Sequence, residues 1–275
     1  MIRSSRLGQL ALGFLALLAG SVSLPAADIY VTIYSGSSQR FGVIPITTGA
    51  YQDLNSNVAG NFIPAKGLAW NPISSLFNFT YATSSNLNTI SQTGTLGNSI
   101  STTLPDNGAT TIYDSSSSKM LAFSFNAYGT LNTATGAYTN IGVTGRGSAQ
   151  NLAFVGGTLY GTFSPNNPGS PSFGSFNTTT GVFTAIGSAG SSPTSLALAS
   201  DGVTLYGLSK TTIFTIDPST GDTTSLISIT NVPPTNGIDS AGMIASVPEP
   251  STYALGAIAT GVMAAVARRR KARKA

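Results

Sequence analysis

The chain has 275 residues, of which 41% are hydrophobic and only 8% charged, against roughly 25% charged in an ordinary soluble domain. It holds no Cys and no His, which excludes Ser-His-Asp and Cys-His catalytic units, disulfide staples and the usual zinc and copper sites. The formal charge of +4 sits at the two ends: between Asp28 and Ser246 five basic residues (Arg40, Lys66, Lys119, Arg146 and Lys210) face eight Asp. That central region is acidic and has no basic stripe to follow a phosphate backbone, so nucleic acid is excluded as a partner.

At the N-terminus Arg3 and Arg6 precede the apolar run Leu7 to Leu18, and the small residues Gly20, Ser21, Ser23, Ala26 and Ala27 follow. This is the three-part layout of a secretory signal peptide over residues 1–27, a substrate of the Sec export machinery and signal peptidase. The apolar run is too short to span a bilayer. Cleavage is expected between Ser23 and Ala27.

From Asp28 to Ser246 the chain repeats itself. A Thr-Gly turn recurs at Gly49, Gly94, Gly136, Gly181 and Gly221, at spacings of 45, 42, 45 and 40 residues. Two copies continue alike, Tyr138-Thr139-Asn140-Ile141-Gly142 and Phe183-Thr184-Ala185-Ile186-Gly187. A second marker keeps the same beat: Gly67-Leu68-Ala69-Trp70, Asn151-Leu152-Ala153-Phe154 and Ser195-Leu196-Ala197-Leu198 each open a unit. Each is followed by another short run, Leu76 to Tyr81, Gly157 to Gly161 and Val203 to Gly207. The runs are rich in Ile, Val, Thr, Tyr and Phe and are bounded by Gly, Asn, Asp, Pro and Ser, which is strand chemistry. No useful helical period interrupts them.

Repeats of this length with four strands each are the mark of a propeller blade. The expected fold is all-β, a propeller of five four-stranded blades; a β-sandwich or another blade count are the alternatives. The region opens mid-unit with Ile29 to Ser35, and closes with Gly237 to Ala245, which resembles an opening strand with nothing after it. Pairing the two completes one blade and removes free sheet edges. The Thr-Gly turn is expected to join the third strand to the fourth, with Gly at positive φ as in a type I turn with a following bulge. Gly136 and Gly181 occupy the same turn in two units, so replacing either by Val is expected to cost about the same, and the two effects to add.

The C-terminus reads Val247-Pro248-Glu249-Pro250-Ser251-Thr252, then an apolar run from Tyr253 to Ala267, then Arg268, Arg269, Arg270, Lys271, Arg273 and Lys274. The apolar run is workable as a membrane helix if its flanks join it and the Arg side chains snorkel. The basic cluster then holds the end of the chain in the cytoplasm. This tail, residues 247–275, resembles the PEP-CTERM sorting signal of Gram-negative exported proteins. Pro248, Glu249 and Pro250, the short apolar helix and the terminal basic cluster carry the resemblance, which covers the tail alone. It implies recognition by an exosortase, a membrane enzyme thought to remove the tail. It also implies a surface or extracellular-matrix destination, reached from an inner-membrane-anchored precursor. It assigns a route, not an activity.

Chemistry in the middle is sparse. Glycoside hydrolysis uses a carboxylate pair, yet the only Glu is Glu249, and Asp106, Asp201 and Asp217 sit in turn sequences where capping accounts for them. Ser116-Ser117-Ser118-Lys119 matches S-x-x-K but lies in a polar loop before a strand. Asp217 to Asp222 has alternate oxygen ligands like a calcium loop but lacks its terminal Glu. Trp70, with Tyr81, Tyr160 and Tyr206, forms either a carbohydrate-facing surface or inter-blade core. No cofactor or metal is implied. The sequence reads as an exported, non-enzymatic surface or matrix propeller with extracellular polysaccharide as a candidate partner. The rival is a carbohydrate-active enzyme using Asp carboxylates in the propeller channel.

Overall fold

The computed structural model describes residues 28–244, except 36–37, 60–64, 146, 165–169, 188–192, 195 and 235–236. The signal peptide expected over 1–27, the sorting tail expected over 247–275 and Arg146 lie outside the described residues.

Twenty strands and no helix occur among the described residues. The chain enters with β1 (Asp28–Ser35), β2 (Ser38–Pro45) and β3 (Gln52–Ala59). A second blade follows: β4 (Ala65–Asn71), β5 (Leu76–Tyr81), β6 (Ser84–Ile90) and β7 (Leu96–Ser101). The third is β8 (Thr110–Asp114), β9 (Lys119–Ser124), β10 (Ala127–Leu131) and β11 (Tyr138–Val143). The fourth is β12 (Ala149–Val155), β13 (Thr158–Phe163), β14 (Ser172–Phe176) and β15 (Phe183–Ala185). The fifth is β16 (Ala197–Ser200), β17 (Leu205–Leu208), β18 (Thr212–Ile216) and β19 (Thr223–Ser228), and β20 (Gly237–Met243) comes last. Each blade is a four-stranded antiparallel sheet, and the first has the order β20-β1-β2-β3. The last strand therefore supplies the innermost strand of the first blade, from Ile29 opposite Met243 to Tyr34 opposite Gly237. This is the five-bladed propeller and the closure that the repeat predicts. The innermost strands β20, β4, β8, β12 and β16 meet around the central axis.

Side chains alternate across each strand, so every blade buries one face against the blade before it and the other against the blade after it. Strand β5 shows this. Phe77 and Phe79 join Tyr30, Phe41 and Val43 of the first blade. On its other face Thr80 donates a hydrogen bond to the Ala109 carbonyl at the entry to the third blade. Five such clusters fill the five inter-blade gaps. Threonine suits the narrow inner ends, where its hydroxyl satisfies a neighbouring backbone carbonyl, as Thr110 Oγ1 does to Ala149 O at 2.7 Å.

All five turn glycines lie at positive φ, from 67° at Gly49 to 81° at Gly94, and each joins the third strand of its blade to the fourth. The turns are of two kinds. At Gly94 the amide bonds Ser91 O, three residues back, at 3.0 Å, and Ser91 N bonds Thr95 O at 2.9 Å; this is the expected type I turn with a following bulge. At Gly136, Gly181 and Gly221 the glycine amide reaches four residues back, to Asn132, Asn177 and Asp217, at 2.8 to 2.9 Å. The extra residue is held by the Asn or Asp side chain, whose Oδ1 caps backbone amides inside the loop.

Candidate functional site at the channel mouth

Each innermost strand runs toward the same end of the axis, where β4, β8, β12 and β16 turn into their second strands and β20 ends beside the start of β1. The residues opposite Phe77, Met120, Leu159, Leu205 and Ile29 occupy one equivalent place at that end. They are Trp70, Tyr113, Phe154, Ser200 and Met243. All five line a depression of about 160 Å³ at the channel mouth, together with Leu68, Ile112, Leu152 and Leu198. Each large member also plugs the outer end of an inter-blade cluster. Trp70, for example, lies 5.0 Å from the Phe77 ring at a 59° tilt. The turns of the fourth and fifth blades are tied together beside the mouth by Gly156 N to Gly202 O at 2.9 Å.

Among the described residues, the lining of this mouth contains no Asp, Glu, Lys or Arg. Its volume is below the roughly 300–1,000 Å³ of sites for drug-sized ligands and is room for one ring. The arrangement offers stacking surface with Ser115 and Ser200 as hydrogen-bonding edges. A wider open groove of about 570 Å³ lies at the outer part of the fourth blade. It is lined by Thr158, Ser175, Thr178 to Thr180 and Thr184, but its aromatic side chain, Phe176, is buried.

The sequence groups Trp70 with Tyr81, Tyr160 and Tyr206, and only Trp70 reaches the mouth. Tyr81 donates to Val58 O at 2.9 Å in the gap between the first two blades. Tyr160 stacks on Phe173 with centroids 6.2 Å apart. Tyr206 is buried and bonds Asp201. All three sit on second strands, whose alternation sends them into the blade gaps. Tyr113 and Phe154 were missed. The available signal was position: Trp70 and Phe154 are the fourth residues of their opening markers. The third copy, Ser195 to Leu198, is two residues out of step, because Leu198 pairs with Gly207 where Leu152 pairs with Gly161. A two-residue slip keeps every side chain on the same face, so alternation alone does not reveal it.

Asp114, Asp201 and Asp217 cap their own turns, Asp53 pairs with Arg40, and Asp106 holds a turn other than its own. Asp106 accepts from Phe125 N at 2.7 Å. Asp201 accepts from Val203 N and Thr204 N at 2.9 and 2.7 Å. In the S-x-x-K stretch, Ser116 and Ser117 donate to Asp114 at 2.7 Å each. Burial pushes the Asp114 carboxyl up, but those bonds outweigh it and hold the group below its ordinary range. In the calcium-like loop, Ser219 donates through both its hydroxyl and its amide to Asp217, holding that carboxyl low. Among the described residues no group of three or more His, Cys, Asp and Glu is placed to hold a metal ion.

Asp239 is different. It is the extra residue of a bulge in β20, where Thr32 faces Ser240 and Ile33 faces Ile238. Its carboxylate accepts from Gln39 Nε2 at 3.0 Å. Burial pushes its pKa up to about 6, against the lowering effects of the Gln39 bond and the Lys66 charge. The folded protein therefore keeps a proton that the unfolded chain loses, and stability falls as pH rises from about 4 to about 6. A rise of that size is worth on the order of 3 kcal/mol. Asp239→Asn is expected to remove this slope and to unfold at higher temperature than the wild type at pH 7, with the two melting curves converging at pH 4. Parallel melting curves at both pH values would contradict this.

A comparison with curated proteins finds no match. Solved structures with similar folds include TolB from Acinetobacter baumannii, 15% identical with a TM-score of 0.48, over 83% of this chain and 60% of that one. This chain thus spans less than two thirds of the TolB chain. A catalytically inactive virginiamycin B lyase from Staphylococcus aureus, crystallised with quinupristin, is 13% identical with a TM-score of 0.43, over 74% of this chain and 71% of that one. A nidogen/laminin complex gives 13% identity and a TM-score of 0.45, over 80% and 81%. At these identities the likeness is of fold alone. Residues 246–271 match the PEP-CTERM protein-sorting motif, so the five-bladed propeller is followed by the sorting tail of an exported protein.

Proposed function

We propose that this is a cell-surface or extracellular-matrix protein whose propeller is a non-enzymatic binding domain for an uncharged extracellular polysaccharide. Its path begins with Sec export and signal-peptide cleavage within residues 1–27. The helix 253–267, with Arg268, Arg269, Arg270 and Lys271 on the cytoplasmic side, anchors the precursor in the inner membrane of a Gram-negative cell. An exosortase-like enzyme then acts at Pro248-Glu249-Pro250. The observation that supports the binding role is the channel mouth, where the partly exposed Trp70, Tyr113 and Phe154 converge with no charged lining residue. Sugar rings present apolar C–H faces that stack on aromatic side chains, while a neutral lining favours a neutral chain. Turn capping by Asp114, Asp201 and Asp217 supports binding over hydrolysis.

A fragment spanning residues 28–246 is expected to bind neutral glycans on an array and to release no reducing ends from them. Trp70→Ala is expected to weaken binding at least about tenfold, a loss of 1.4 kcal/mol, with Trp70→Phe intermediate. Absence of glycan binding by the folded fragment rejects the reading, and glycan turnover assigns the enzyme instead.

A further inference from the structure

The chain leaves the propeller beside the channel mouth. Met243 lines the mouth, and Ile244 follows it. Asp28, at the start of β1, lies at the same end of the axis, since its neighbour Ile29 pairs with Met243. The turns around this mouth carry the exposed apolar tips Ile73 and Val203, 75% and 83% accessible. We propose that, in the tail-bearing chain, this face is turned toward the lipid bilayer, so that the membrane covers the mouth until the tail is removed. This rests on the anchoring read above for residues 253–267.

The tether sets the orientation. Eight residues separate Ile244 from Tyr253, so the path spans at most about 30 Å even when fully extended. A domain of this length has a radius of gyration of about 17 Å and hence a radius of about 22 Å. Putting the opposite face on the membrane takes about 22 Å of tether to reach the rim and about 20 Å more to pass a six-residue strand. That exceeds the reach. An edge-on pose is within reach, but it lays the outer strands on the lipid. These strands, β7, β11 and β19, mix Ser, Thr and Asn with the exposed Leu96, Ile141, Val143 and Leu226, spread over three blades. Each is the open edge of its sheet, whose unpaired backbone groups would lose their water on lipid. The mouth-down pose keeps those edges in water and brings Ile73 and Val203, the two most accessible large apolar side chains among the described residues, to the lipid together. Asp28, Asp114, Asp201, Asp217 and Asp222 share this end with Lys119, so the contact suits a zwitterionic surface better than an anionic one.

Trp70 is the sole tryptophan of the chain and lines the mouth, which makes it a built-in reporter. The full chain is reconstituted into phosphatidylcholine vesicles carrying a spin label at the headgroup. Co-flotation reads anchoring, and loss of Trp70 emission reads orientation. The expected result is co-flotation with quenching of Trp70. In a Trp70→Phe/Phe125→Trp variant the reporter moves to the opposite end of the blades, where Phe125 is 59% exposed, and its emission is expected to persist. Ile73→Asp with Val203→Asp, both at exposed tips, is expected to reduce the quenching without reducing co-flotation. Failure to co-float overturns both the anchoring and the orientation. Co-flotation with an unquenched Trp70, or with equal quenching at both positions, overturns the orientation alone.

Discussion

A chain ended after Asn236 is expected to lose its cooperative thermal transition, whereas one ended after Ser246 keeps it. The difference is β20. Ala241 and Met243 are 7% and 6% exposed and sit in one cluster with Ile29, Val31 and Ile33, each at 0%. Removing a buried Met side chain alone is worth roughly 2–5 kcal/mol, and each uncovered Ile or Val adds roughly 1.5–3 kcal/mol if it becomes fully wet. The sum reaches the whole stability of an ordinary domain, about 5–15 kcal/mol. The ladder to β1 is lost as well, leaving an apolar edge strand open to pairing with other chains. Near-ultraviolet circular dichroism during heating checks this, and a peptide of residues 237–246 added in trans is expected to restore the transition. A cooperative melt of the shorter chain at an unchanged temperature would show that the ring does not need its closing strand.

That closure was legible because two unrelated signals met. The Thr-Gly turns set a period, and only glycine is comfortable at the positive φ of about 74° that Gly136 and Gly181 adopt. The ends of the region then had to pair, since the unit that begins with Ile29 to Ser35 lacks an opening strand and Gly237 to Ala245 resembles one with nothing after it. The mouth was less legible. Which aromatic side chains face a channel and which face a neighbouring blade depends on the residue at which a strand bulges. The bulges at Asp239 and at Gln150 leave no mark in hydrophobic alternation. The contact each turn makes with the neighbouring blade was not legible at all, because it depends on how adjacent blades are rotated and not on any pattern within one.

That contact breaks the equivalence of the turn glycines. Gly136, Gly181 and Gly221 share nearly one backbone conformation, with φ of 74°, 74° and 79°, so the strain of a side chain there is common to all three, roughly 1–3 kcal/mol. Their surroundings differ. A Cβ at Gly136 would run into the Ser101 carbonyl oxygen of the second blade, far inside the 3.0 Å that real Cβ atoms essentially never breach. At Gly181 it would lie 2.9 Å from the Val143 carbonyl, and at Gly221 its nearest neighbour would be the Phe173 ring at 3.4 Å. The Gly136 turn is also bonded to the blade it presses on: Thr103 N donates to Gly136 O at 3.0 Å, and Tyr138 N to Thr103 Oγ1 at 2.9 Å. Backing the turn away from Ser101 breaks both bonds, each worth about 1 kcal/mol. The equal penalty that the repeat alone implies is therefore replaced by an order, with Ala most destabilising at Gly136, less at Gly181 and least at Gly221. For a domain of this size 1 kcal/mol moves the melting temperature by roughly 2–4 °C. Gly221→Ala is expected to lower it by only a few degrees and Gly136→Ala by about 10 °C or more. Equal shifts for the three Ala variants in one melting series would mean that the second and third blades yield freely at this contact, and that strain within the turn is all that glycine relieves.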